Sequence, residues 1–210
     1  MKNLSIGGIF QNSFQLGFNQ AAPLFLTILL WSLTVWIPYI NVGTTIGMIG
    51  AIIALGRGEK INPTGIFDPK YRSNMGEFFL LVGFMLVGIS AGYLFFIIPG
   101  IVLTFAWFLA PYLLVDKNMT PLDAIKRSNE LTYGYKWTIS FGIFLYIIVS
   151  YLIYAIAGGI LLFIAMNISN SPIMGLFFGI IMLALSAILM SMLAAMYGYI
   201  YSALADNSKE

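Results

Sequence analysis

The sequence predicts an all-α, polytopic membrane bundle of six transmembrane helices in three hairpins, with amphipathic helices on the cytoplasmic surface. Three observations predict it. First, 60% of the 210 residues are hydrophobic and 9% are charged, with a mean hydropathy of +0.92. A soluble domain carries roughly 25% charged residues, so there is too little polar surface here to coat a water-soluble globule. Second, residues 3–56, 78–115 and 137–205 contain no Asp, Glu, Lys or Arg. Third, each of these stretches is broken by turn-forming residues near its middle. One integral membrane domain over residues 1–210 is expected.

Residues 4–20 come first. Ile6, Phe10, Phe14 and Phe18 recur every fourth residue among Gln and Asn, a pattern that predicts an amphipathic helix lying in the membrane interface. This N-terminal stretch lacks a compact apolar core ahead of a small-residue cleavage site, so no removable signal peptide is expected. The first hairpin takes crossings at 22–37 and 40–56 around "PYINVG", with its turn at Pro38 and Gly43.

The second charge-free stretch has 38 residues, almost twice what one crossing of about 20 residues needs. It is expected to fold back at "IIPG", because Pro99 lacks an N–H and favours a turn while Gly100 accepts positive φ. Crossings at 77–97 and 101–115 follow, and the shortness of the second leaves a re-entrant hairpin open. In residues 120–133, Thr120 is placed as an N-cap, Pro121 at the first helical position and Asp123 in a capping box. Leu122 and Ile125 mark one side of that helix, and Lys126, Arg127 and Glu130 the other, which predicts a second interfacial helix. The third hairpin joins crossings at 137–164 and 172–204 across "MNISNSP", and its last turns, with Tyr197, Tyr199 and Tyr201, are expected to project beyond the bilayer.

The three expected tips carry no charge, and every Lys and Arg falls on the opposite side. The positive-inside rule then puts both termini in the cytoplasm. Trp36 and Tyr39 suit an outer aromatic belt, and Tyr112, Tyr133, Tyr135 and Trp137 an inner one.

Candidate sites are few. Without cysteine or histidine, thiolate metal sites, disulfides and histidine-based catalysis are excluded. No ionisable residue falls at membrane depth, and Glu77 reads as a favourable charge at a helix N-terminus. "GRGEK" at 56–60 lacks phosphate-loop spacing, and Asn167 opens a compositional glycosylation match only. Small residues four apart, Gly43/Gly47, Gly88/Gly92, Gly175/Gly179 and Ala194/Gly198, are expected to let helices approach closely. Arg57, Lys60, Arg72, Lys126, Arg127 and Lys136 are candidate contacts for anionic lipid headgroups. No cofactor or metal is expected.

Residues 95–137 carry a pattern of their own: Pro99-Gly100, Pro111, Asp116, Pro121, Ala124, Ser128 and Leu131. It resembles a signature in a poorly characterised group of bacterial six-helix inner-membrane proteins, which includes the membrane portion attached to some glycerophosphodiester phosphodiesterases. The resemblance implies a multi-pass bundle of the bacterial inner membrane. In the phosphodiesterase members the chemistry belongs to a separate soluble barrel, and with six residues after 204 this chain is expected to lack it. No catalytic residue carries over. The expected function is that of a non-enzymatic membrane module, an accessory or structural subunit that packs against other membrane proteins. The alternative is a binder or transporter of a lipid or other apolar molecule, which the charge-free interior and Gly158–Gly159 would also suit. Membrane lipids and other membrane proteins are the expected partners, a homo-oligomer is open, and nucleic acid is not expected at a net charge of +2.

Overall fold

The computed structural model describes residues 4–168 and 172–206, and within them the fold is all α. The N-terminal helix α1 (Ile6–Asn19) starts at Ser5, whose Oγ accepts the Gly8 N–H at 3.1 Å. A bend of 81° leads into α2 (Ala21–Thr34), which pairs antiparallel with α3 (Ile40–Gly56). The pair is joined by polar side chains: Trp31 Nε1 donates to Thr45 Oγ1 at 3.0 Å, and Thr34 Oγ1 to Thr44 Oγ1 at 2.9 Å. Two 3-10 turns, Pro63–Phe67 and Pro69–Arg72, follow. Then come α4 (Met75–Phe95), α5 (Ile97–Ala106), α6 (Ala110–Lys117), α7 (Pro121–Thr132), and two long helices, α8 (Lys136–Ile168) and α9 (Pro172–Ala205).

Four segments are long and apolar enough to cross a membrane: α4, the α5–α6 pair, α8 and α9. The count is five if the bent pair α1–α2 is taken as one crossing. Of the six expected crossings, 22–37 and 40–56 do not reach this length. They fold as helices of 14 and 17 residues, about 21 and 26 Å long against a hydrocarbon core of about 30 Å.

The core is built around the C-terminal half of α9, where Ala195, Met196, Ile200 and Tyr201 are fully buried. α1 runs lengthwise along it, antiparallel. A Cβ on Gly8 would sit 3.7 Å from the Tyr199 hydroxyl, and one on Gly17 would strike the Met192 backbone at 2.7 Å. α1 therefore docks through Ile9, Ser13 and Gly17, and Phe14 and Phe18 face outward, stacked on each other at 5.9 Å. The small residues make the close fit to α9, while Ile6, Phe14 and Phe18 of the apolar stripe stay exposed and Phe10 packs beside Tyr146.

Small residues also make the fit of α7. Thr120 caps it as expected, accepting the Asp123 N–H and donating to the Asp123 carboxylate at 2.7 Å. Its buried face is Pro121, Ala124, Ser128 and Thr132, while Leu122 is exposed. Small and hydroxyl residues face inward because α7 covers the break between α5 and α6. Ser128 Oγ donates to the Ala106 carbonyl at 2.7 Å and accepts the Leu109 N–H at 3.0 Å. Thr132 Oγ1 donates to Ser128 O at 2.8 Å and lies 3.3 Å from the Ala106 carbonyl. A buried chain break with unmet backbone groups is thereby satisfied.

The expected turn at Pro99-Gly100 is also corrected. The reversal lies at Phe96, whose backbone is extended (φ −160°, ψ 146°), and Pro99 and Gly100 sit in the first turn of α5. Proline is tolerated there because a first-turn N–H has no helical partner to lose. Gly100 does not take positive φ. Its role is close approach: a Cβ on Gly92 would lie 3.1 Å from Gly100 Cα, so α4 and α5 pack glycine to glycine.

Candidate functional site

Sequence-distant charges meet at one end of the fold. Arg57 caps the C-terminus of α3, Asp116 and Lys117 end α6, and Asp206 follows α9. Arg57 donates from Nη1 and Nη2 to the two Asp116 oxygens at 2.8 Å each, and from Nε and Nη2 to the two Asp206 oxygens at 2.9 Å each. Lys117 Nζ lies 2.8 Å from Asp116 and 3.7 Å from Asp206. The Tyr201 hydroxyl donates to Asp116 Oδ2 at 2.7 Å. Side-chain exposure runs from 12% at Asp116 to 32% at Asp206, so the cluster is screened but not sealed. Double bidentate pairing uses four of the five guanidinium N–H donors. Hydrogen bonds to Asp206 and then Asp116 push the Arg57 guanidinium still higher than its ordinary range.

The cluster is neutral, two cations against two carboxylates, and it rests on aromatic rings. Tyr112 stacks on Tyr201 at 5.6 Å, and Phe108 meets Tyr197 edge-on at 5.2 Å. Tyr112, expected in an interfacial belt, is instead buried, while Tyr133 and Trp137 are exposed. Directly beside the cluster α3 and α9 touch through glycines. A Cβ on Gly198 would meet the Ile52 carbonyl oxygen at 2.2 Å, and one on Gly56 would meet the Gly198 oxygen at 2.1 Å. An open cleft of about 350 Å³, lined by Asn12, Arg57, Tyr199, Ser202 and Asp206, adjoins this junction.

Chemically the arrangement is a latch. Both carboxylates accept from the Arg57 guanidinium, and the cluster ties the ends of α3, α6 and α9 into one unit. Among the described residues, no group of three or more His, Cys, Asp and Glu could hold a metal ion.

The candidate lipid contacts divide. Arg57 belongs to the latch, with four of its N–H donors on Asp116 and Asp206. Arg127 pairs with Glu130 at 2.9 Å, and Lys136 donates to Asn129 Oδ1 at 2.7 Å. Lys60, Arg72 and Lys126 are exposed and spread over separate elements. The small-residue pairs divide too. Ala194 is buried and Gly198 makes the α3–α9 junction. Gly47 packs on the Ile66 backbone, Gly43 lies near Arg72, and Gly88 packs under the Trp107 ring. Gly175 and Gly179 have nothing within 4 Å of a Cβ, so they are not packing positions among the described residues.

One apolar groove of about 250 Å³ lies between α1, α8 and α9, lined by Phe10, Phe14, Tyr146, Val149, Leu189 and Met192 among others. The Tyr146 hydroxyl donates across it to the Leu189 carbonyl. Sequence reading missed the latch because its members are 59 and 149 residues apart. The one available signal was a lone arginine directly after a charge-free helix. No family model, curated protein or solved structure matches this chain.

Proposed function

We propose that the protein is a non-enzymatic membrane module of the bacterial inner membrane, an accessory or structural subunit inserted from the cytoplasmic side. The observation that carries this is the latch: the charges gathered at the core are engaged with each other, and what the molecule offers its surroundings is apolar helix surface. On α8 and α9, Tyr151, Leu152, Ile156, Phe163, Leu176 and Phe177 are all more than half exposed.

The geometry also supports a specific topology. From Tyr146, the last buried side chain of α8 among the described residues, the helix runs 22 residues further to Ile168, roughly 33 Å. On α9 the first buried side chain among the described residues is Leu189, 17 residues or about 26 Å from Pro172. Both lengths match one hydrocarbon core of about 30 Å, so α8–α9 is the crossing hairpin and the buried remainder of α9 stands in a cytoplasmic layer. By contrast, α3 carries charge at both ends. Its C-terminus holds Arg57, and its N-terminus, at Tyr39 and Ile40, shares a cavity of about 180 Å³ with Asp68 and Arg72. With Arg57 and Arg72 both cytoplasmic under the positive-inside rule, α3 does not cross. The α2–α3 hairpin lies along the interface instead, and Tyr39 belongs to the cytoplasmic side. Both termini remain cytoplasmic. The resemblance of residues 95–137 fits this reading: Pro121, Ala124 and Ser128 form the inward face of α7, and Asp116 takes Arg57.

The test is photo-crosslinking in native membranes from Leu152 and Phe177, followed by purification in mild detergent. A defined membrane-protein adduct at either site is expected. A lone monomer without adducts would refute the reading.

The groove between α1, α8 and α9 favours a second reading, a binder of apolar molecules. At about 250 Å³ it is smaller than the roughly 300–1,000 Å³ typical of small-molecule sites and takes part of one acyl chain. A stoichiometric lipid retained through purification, and lost on Val149→Trp, would favour it.

A further inference from the structure

We infer that the cavity beside Tyr39 is the seat of one anionic phospholipid of the cytoplasmic leaflet. Its phosphate sits on Arg72 and a stretch of one acyl chain lies inside. The inference rests on the cytoplasmic placement of the α2–α3 turn proposed above, and it adds a ligand that this placement alone does not assign.

Three observations carry it. The first is the cavity wall. The cavity measures about 180 Å³, a little more than the roughly 150 Å³ of an apolar cavity that takes up benzene. Ile40, Gly43, Ile66 and Met75 line it. Thr44, also in the wall, is already engaged: its hydroxyl accepts from Thr34 at 2.9 Å and donates to the Ile40 carbonyl at 3.1 Å. A water held against this wall would lack the roughly two to four polar partners it needs, whereas several carbons of a chain fit.

The second is charge. The stem of Arg72 runs over α3, since a Cβ on Gly43 would lie 3.7 Å from Arg72 Cγ. Arg72 is exposed, and among the described residues no carboxylate pairs with it. The carboxylate nearest in sequence, Asp68, also lines the cavity but is taken: it accepts the Lys70 N–H at 3.0 Å and lies 3.3 Å from Lys70 Nζ. Asp68 and Lys70 cancel, so this side keeps one unmatched guanidinium, whose planar fork suits a phosphate. An apolar pocket with a lone cation beside it is complementary to an anionic amphiphile.

The third is the mouth. Trp36, Ile37, Tyr39 and Ile40 are 45–86% exposed, and Phe67 is 38% exposed. Aromatic rings and apolar side chains gathered with an arginine match the headgroup level of a bilayer better than water. Tyr39 is held there at φ 72°, ψ −46°, near the rare and strained γ-turn. Backbone strain of this kind clusters at ligand clamps and persists only where the surroundings fix it. Here it sets the Tyr39 ring against the cavity while leaving most of the side chain exposed.

The probe is phosphatidylglycerol with a diazirine in one acyl chain, in phosphatidylcholine vesicles that hold the full chain. Irradiation of the parent protein is expected to give adducts within residues 39–44 or 66–75. Adducts confined to other segments would overturn the seat, and this result needs no variant to fold. Native mass spectrometry then counts retained phosphatidylglycerol. Arg72→Gln keeps the stem and removes the charge, and should weaken retention about five-fold, equivalent to about 1 kcal/mol for one charge near the surface. Gly43→Leu keeps the charge and fills the cavity, and should weaken retention by a similar factor. Loss on Arg72→Gln alone would mean headgroup adsorption without a seated chain, and equal retention of phosphatidylcholine would mean no preference for an anion; either overturns the inference. Because the chain has no natural cysteine, Trp36→Cys reports the side directly. It should react with an impermeant maleimide in inside-out vesicles alone. Labelling from the outside would refute the cytoplasmic placement and the leaflet with it, while the adducts would still decide whether the cavity holds a chain. Labelling from the inside without adducts would refute the seat and leave the placement standing.

Discussion

Replacing Gly198 by Ala tests the packing argument where it is sharpest. Two glycines that look alike in sequence, Gly198 and Gly175, are each followed or preceded by a small residue four positions away. A Cβ on Gly198 would stand 2.2 Å from the Ile52 carbonyl oxygen and 2.8 Å from the Gly56 amide nitrogen, both fixed backbone atoms. Ordinary contact begins at 3.4 Å, so α3 and α9 must part by about 1.2 Å (3.4 − 2.2). Overpacking of this kind costs about 1–3 kcal/mol, partly offset by the roughly 1 kcal/mol that Ala gains over Gly in a helix interior. Parting the helices also loosens Arg57 from Asp206, which follows α9 directly. We expect a net loss of about 1–2 kcal/mol, equivalent to about 2–8 °C in Tm at 2–4 °C per kcal/mol for a domain of this size. Gly175→Ala meets nothing within 4 Å and should be neutral or raise Tm slightly. Intrinsic tryptophan fluorescence melts in a single detergent measure both variants against the parent. If Gly198→Ala melts with the parent, or if Gly175→Ala falls as far as Gly198→Ala, the α3–α9 contact is not what holds these helices.

Ser128→Ala should lose about 1–3 kcal/mol, because the buried Leu109 N–H loses its acceptor, whereas Thr132→Ala should cost less since Ser128 still serves the Ala106 carbonyl; the same melts rank the two. Arg57→Lys should destabilise nearly as much as Arg57→Ala, by about 2 kcal/mol, because an ammonium cannot reproduce two bidentate pairs; equal Tm values for Arg57→Lys and the parent would remove the latch. Lys60→Ala combined with Arg72→Ala and Lys126→Ala should lower retention of anionic lipid in native mass spectrometry, at about 1 kcal/mol per charge near the surface, with Tm unchanged. Unaltered lipid adducts would show that these side chains set orientation alone.

Much of the helical content was legible because apolar runs and caps act locally. The N-cap at Thr120, the long helices of residues 137–164 and 172–204, and the break after residue 56 all follow from neighbours within a few residues of each other. The candidate site was not legible. Arg57 read as one more interfacial cation because nothing near it in sequence reveals Asp116 or Asp206. In sequence, α7 shows only an apolar side at Leu122 and Ile125 and a charged side at Lys126, Arg127 and Glu130, and nothing marks Ser128 as buried. The structure buries Ser128 instead because a carbonyl and an N–H at the α5–α6 break needed a hydroxyl.

By itself, then, the sequence determined the solvent. A chain with this little charge, and with that charge gathered outside long apolar runs, has to meet hydrocarbon, whatever its fold. Which helix ends are tied together was decided by tertiary structure alone. Length and greasiness are properties of a single segment, but direction is set by where its two ends are tied. For α3 those ends are Arg57 in the latch and Ile40 beside Arg72, and only packing brings such partners together.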